Sequence, residues 1–188
     1  MATVKRPGGR TARNRDAVLA AARALLEQGR EVTLQVLAAE SGVHLSTLYR
    51  NWSAEEDIIR EAALAASDSN LPLPDTGRLS TDLTRFLLKL RDYVRSPLGR
   101  ALLSIPLSAT ANRADYWAGR LRRAAILFER AARRGEIRDN TEWSSVVVAA
   151  ISPIYFHEMV VGTSMTNQQI RRHVDLIIVA CRPVARDS

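Results

Sequence analysis

An all-α fold is predicted by three features of the chain. Apolar residues recur at three- and four-residue spacing in every long segment, and no segment sustains a two-residue alternation. Turn-forming residues fall between the periodic stretches, at Gly29, Ser41-Gly42, residues 67–77 and Gly135. With 46% apolar residues, the 188-residue chain can bury a core in one or two helical domains. The expected division is a basic arm over 1–12, a small helical domain over 13–67 and a larger helical bundle over 78–188.

Each element follows in order. Lys5, Arg6, Arg10, Arg13 and Arg15 precede the first acid, Asp16. Arginine-bearing arms of this kind lie along the minor groove, so Arg6 and Arg10 are candidate DNA contacts. A first helix is predicted from Asn14 to Gln28, with Val18, Ala21, Ala22, Leu25 and Leu26 on one face. The stretch Thr33–Asn51, TLQVLAAESGVHLSTLYRN, reads as a helix-turn-helix. Thr33 caps a helix facing inward with Leu34, Leu37 and Ala38. Gly42 takes the positive φ of the turn, and Val43 and Leu48 close the small core from a second helix near His44–Arg50.

A fourth helix is predicted to start at a capping box on Ser53, with Ile58, Ile59, Ala62 and Leu64 as its stripe. SDSNLPLPDTG then breaks the pattern. Beyond it, helices are expected over Leu79–Val94, from Pro97 to Pro106, and over Arg113–Arg134, Thr141–Val161 and Thr166–Arg182. Val146–Val161 is the most apolar run. At about 16 residues it is shorter than the roughly 20 needed to span a bilayer, and it carries Pro153, His157 and Glu158, so a buried helix and no membrane are expected.

Charge points to a polyanionic partner. The net charge is +7, with 25 Arg and 2 Lys against 20 acids, and the pI is near 10.4. The lone cysteine, Cys181, has no internal disulfide partner, and no apolar run follows the N-terminus. A reducing, cytoplasmic setting is therefore expected.

In a helix-turn-helix the second helix enters the major groove. His44, Leu45, Ser46 and Thr47 stand at its groove-facing start, and Leu45 suits a thymine methyl. Thr33, at a helix N-terminus, together with Tyr49 and Arg50, suits phosphates.

From Arg15 to Ile59, about a quarter of the chain, the sequence resembles the N-terminal domain of TetR-type transcriptional repressors. An Ala-rich first helix ending in Gly29, VTLQVLAAESGV, and STLYRNW before an acidic helix start carry the resemblance. It implies a bacterial, nucleoid-associated homodimer that binds a palindromic operator in double-stranded DNA. Thr33, Thr47, Tyr49 and Trp52 would then contact or position the DNA, while the C-terminal domain would dimerise and bind a small ligand. Family members often carry a phosphate-binding lysine at the start of the fourth helix. Ala54 and Glu55 stand there instead.

The last two helices are the expected dimer interface, with Trp143 and Val148 on the contact face. Tyr93, Trp117, Phe128, Tyr155, Phe156 and His157 are candidate walls for a small apolar ligand. No cofactor, metal site or catalytic residue is expected: His44, His157 and His173 lack ligand spacing, and no phosphate loop or nucleophile elbow occurs. A purely architectural DNA binder is the alternative, but it leaves about 110 residues of apolar helix without a task.

Overall fold

The computed structural model describes residues 9–105, 113–139 and 142–182, apart from the side chains at 64, 67–69 and 113–116. Among these residues the chain is all-α, in the order α1 (Arg10–Glu27), α2 (Leu34–Ser41), α3 (Leu45–Asn51), α4 (Glu55–Asn70), α5 (Leu79–Arg95), α6 (Pro97–Ser104), α7 (Arg113–Arg133), α8 (Ser144–Phe156) and α9 (Asn167–Ala180). A single π-turn, His157–Val161, extends α8. Pro106, the expected end of α6, lies outside the described residues.

The chain divides into two compact units. The first holds α1–α4 together with α6, and the second holds α5 and α7–α9. The expected bundle over 78–188 is therefore interrupted, because α6 packs on α1. Ser96 caps α6 by accepting from the Gly99 amide at 3.1 Å, Pro97 opens it, and Leu98 is buried. Its apolar pattern announced a packing face but not which helix would cover it.

In the first unit Val18, Ala22 and Leu25 of α1, Leu37 of α2, Leu48 of α3 and Ile58 of α4 form the core. Gly42 ends α2 at φ 68°. A Cβ there would meet nothing within 4 Å, so glycine is required by the backbone and not by space. The helix α1 starts four residues before the expected Asn14, which makes Arg10 part of its first turn and not of an extended arm.

In the second unit α5 packs against α7, α8 and α9. Asp82 is buried, and its carboxylate accepts from both the Thr76 amide (2.8 Å) and the Thr76 hydroxyl (2.7 Å). These bonds satisfy a buried charge and fix the approach to α5. From the end of α7, Glu136 accepts from the first amide of α5, Leu79 N, at 2.7 Å. Thr166 and Gln169 form a capping box at the start of α9, and His173 reaches the Ala150 carbonyl of α8 at 3.0 Å.

Within one copy, the expected burial of Val146–Val161 holds on one side of the helix only. Trp143, Val147, Ala150 and Ile154 face the core, but Val148, Phe156, Met159, Val160 and Val161 are exposed. The segment Ser144–Val161 has the length and apolarity to cross a membrane, yet its inward stripe is spent on the bundle. Trp143, expected on the dimer face, is instead buried and stacks on Phe128, with centroids 5.7 Å apart.

Candidate nucleic-acid interface

The reader is built from α2 and α3. Thr33 caps α2, its hydroxyl accepting from Val36 N at 3.2 Å, and Glu55 of α4 accepts from Leu34 N at 3.1 Å. Two of the four amides at this helix end, those of Leu34 and Val36, are therefore occupied. That narrows the expectation of free donors around Thr33 to the amides of Thr33 and of Gln35, an exposed residue. Glu55 stands in the first turn of α4. It fastens α4 to α2.

Seven residues make α3, held by a fully buried Leu48 and by the Trp52 amide on the Leu48 carbonyl at 2.9 Å. His44 is its N-terminal flanking residue, with no side-chain cap; its carbonyl accepts from Thr47 N at 2.8 Å. The structure places His44 and Ser46 in the open, Leu45 and Thr47 half-exposed, and Tyr49 and Arg50 exposed, Tyr49 at 58%. Its exposure leaves the Tyr49 hydroxyl able to hydrogen-bond a partner.

Trp52 differs from the rest of the set. It is only 7% exposed, and its indole N–H donates to Glu61 Oε2 at 3.0 Å. Its place is beneath the reader, not on its surface. Arg10 is exposed in the first turn of α1, a helix end with no acidic residue. A cation at the positive end of a helix dipole is unfavourable until an anion arrives. Arg6 lies outside the described residues.

The six candidate ligand-pocket residues do not form one wall. Phe128 is 1% exposed and belongs to the core with Trp143, and Phe156 is 56% exposed on the outer face of α8. Trp117 and Tyr155 meet edge to face at 5.5 Å, both half-buried. Tyr93 is buried under the Arg120 guanidinium, 5.9 Å from its ring centroid. His157 Nδ1 lies 3.2 Å from the Thr163 hydroxyl, a contact local to the π-turn. Glu158, its neighbour, faces Arg95 Nε at 3.8 Å.

Residues 73–177 match the family model described as tetracyclin repressor-like, C-terminal domain, which is more than half of the chain. The chain belongs to the TetR family. It is a DNA-binding transcriptional regulator, as its relatives are named. It is 28% identical to the HTH-type transcriptional regulator AqdR of Rhodococcus erythropolis over 148 residues, covering 76% of this chain and 72% of AqdR. It is also 28% identical to the HTH-type transcriptional regulator YdeS of Bacillus subtilis, covering 87% and 85% of the two chains. The crystal structure of the TetR family transcription regulator SCO0332 superposes with a TM-score of 0.77 at 25% identity, over 90% of this chain and 99% of that one.

Glu61 and Asp82, and the bond of Glu55 to Leu34, are what sequence reasoning missed. An acid in an amphipathic helix ordinarily reads as a solvated surface charge, and only its distant partner reveals a structural task.

Proposed function

We propose that this TetR-family regulator is a homodimeric repressor that reads a palindromic operator in the bacterial cytoplasm and is released by a small apolar molecule. The observation that carries this reading is the open apolar face of α8 and α9. Val148, Phe156, Met159, Leu176 and Val179 are exposed on adjacent helices, and a second copy would cover them by a two-fold. A dimer sets two copies of α3 facing successive major grooves, roughly 34–36 Å apart on B-form DNA.

Within each copy, Leu45, Ser46 and Thr47 read base edges, His44 joins them from the flank, and Tyr49, Arg50 and Thr33 hold phosphates. Arg6 and Arg10 add phosphate or minor-groove contacts. Trp52 acts through α3 and not by touching DNA. Trp117 and Tyr155 are the favoured ligand contacts, being half-buried aromatics on facing helices. Phe128 and Phe156 leave that set, one as core and the other as part of the dimer face.

Footprinting on the DNA flanking its own gene tests the reading. The expected result is a protected inverted repeat. Diffuse, salt-sensitive binding without a footprint, there or across a random-sequence pool, would instead favour the architectural alternative.

A further inference from the structure

We propose that Glu61 of α4 is a positioning residue for the DNA reader, fixing the tilt of α3 through the buried indole of Trp52. Seven residues are too few to hold a helix in place by themselves. The tilt of α3 must come from what it touches. Leu48 anchors it by apolar packing, which is non-directional and resists rotation weakly. The directional contact sits at the other end.

There, Trp52 N–H donates to Glu61 Oε2 at 3.0 Å, while Arg15 Nε donates to Glu61 Oε1. The Arg15 guanidinium lies over the Trp52 ring, 5.8 Å from its centroid. One carboxylate thus joins α1, α4 and the end of α3 with both of its oxygens engaged. A buried indole N–H needs an acceptor, and an ionised acceptor gives the stronger bond. The groove-facing residue Leu45 stands seven residues from Trp52, about 10 Å along the helix axis, so a tilt of ~10° at Trp52 displaces it by ~2 Å. A shift of that size defeats base-edge hydrogen bonds but leaves phosphate attraction nearly intact.

Electrostatics alone predicts the opposite outcome. Removing an acid from a DNA-binding unit should tighten binding to any duplex. Positioning predicts weaker binding to the correct duplex only. The test uses full-length protein, the duplex that wild type enriches from a random-sequence pool, and a random duplex of equal length.

Glu61→Leu should weaken binding to the enriched duplex by about tenfold or more, the loss expected for one hydrogen bond to a charged group. Binding to the random duplex should be unchanged or tighter. Glu61→Gln retains an acceptor for the indole and should stay within about threefold of wild type. In the nitrogen–proton NMR spectrum, the Trp52 indole signal should move in Glu61→Leu and stay in Glu61→Gln. Trp52→Phe, which keeps most of the packing and loses the N–H, should reproduce the selective loss even if Glu61→Leu does not fold.

Three results would overturn the proposal. Wild-type affinity for the enriched duplex in Trp52→Phe would remove the indole bond from the reader. Equal losses on both duplexes would reduce Glu61 to a general stabiliser. A Glu61→Gln variant as weak as Glu61→Leu would assign the effect to the Arg15 ion pair.

Discussion

The two units fasten their helices alike and finish their surfaces differently. In each, a distant glutamate accepts from the first amide of a helix: Glu55 on Leu34 in the first unit and Glu136 on Leu79 in the second. In the first unit, among the described residues, Tyr49 is the single large apolar side chain left exposed. The second leaves Val148, Phe156, Met159, Val160, Val161, Leu176 and Val179 in the open. A unit that seals its apolar surface and shows hydroxyls and cations is finished for a polar, anionic partner. A unit that leaves an apolar face is finished for another protein surface.

The strongest way to break this comparison is to exchange core for face. Trp143→Ala should cost about 3–5 kcal/mol of stability in urea unfolding, as expected for a buried aromatic truncated to a cavity. An unchanged midpoint would put Trp143 back on the open surface. Val148→Asp combined with Leu176→Asp should instead leave helicity intact. Light scattering should then show the mass falling from twice 20.8 kDa to 20.8 kDa. A dimer that survives both charges must use some other face.

Smaller effects sharpen the contrast from the reader's side. Tyr49→Phe should lose about 1–3 kcal/mol of operator binding if the hydroxyl holds a phosphate. Its thermal midpoint should not move, since the side chain is exposed; full operator affinity would remove Tyr49 from the interface. Gly42→Ala should cost about 1–2 kcal/mol of folding stability, because it forces an L-residue into the left-handed region where no clash occurs. A neutral result would mean that the turn relaxes to another conformation.

The smallest effect concerns Cys181. Burial pushes its thiol pKa up, against a weaker lowering by Arg138. The folded state therefore keeps the thiol proton to higher pH than the unfolded chain. The stability this confers is present below the unfolded thiol's pKa and is lost as pH rises through the folded value. Thiol labelling at pH 8 should be slow in native protein and rapid in urea. Fast native labelling would show that the C-terminal end of α9 opens readily.

Two regions were unequally legible. The helix-turn-helix could be read in detail because its geometry is local: Thr33, Gly42 and Leu48 lie within 16 residues, and each does there what its side chain favours. The second unit yielded its helices and the inward stripes of α5, α7 and α9, but not which side of α8 stays open or which aromatics belong together. The candidate pocket residues there are aromatics at helical spacing. That pattern is shared by core (Phe128), partner face (Phe156) and half-buried contact (Trp117, Tyr155) alike. The family match lies over that less legible region, at 73–177, and the motif that the eye recognises lies over the other.

The sequence by itself determined the all-α class, the helix order, the cap at Thr33, the turn at Gly42 and the class of partner. All of these follow from periodicity, backbone preference and net charge, which act over a few residues or over the whole composition. Only the tertiary structure decided that α6 returns to α1, that the outer side of α8 stays open, and that Trp52 is buried. It also decided that Glu61, Glu55 and Glu136 bond across 9, 21 and 57 residues of chain. Local pattern marks which face of a helix is apolar and where charges stand. Which neighbour covers the face or receives the charge is settled when the helices pack, because that choice depends on how the helices are placed together in three dimensions.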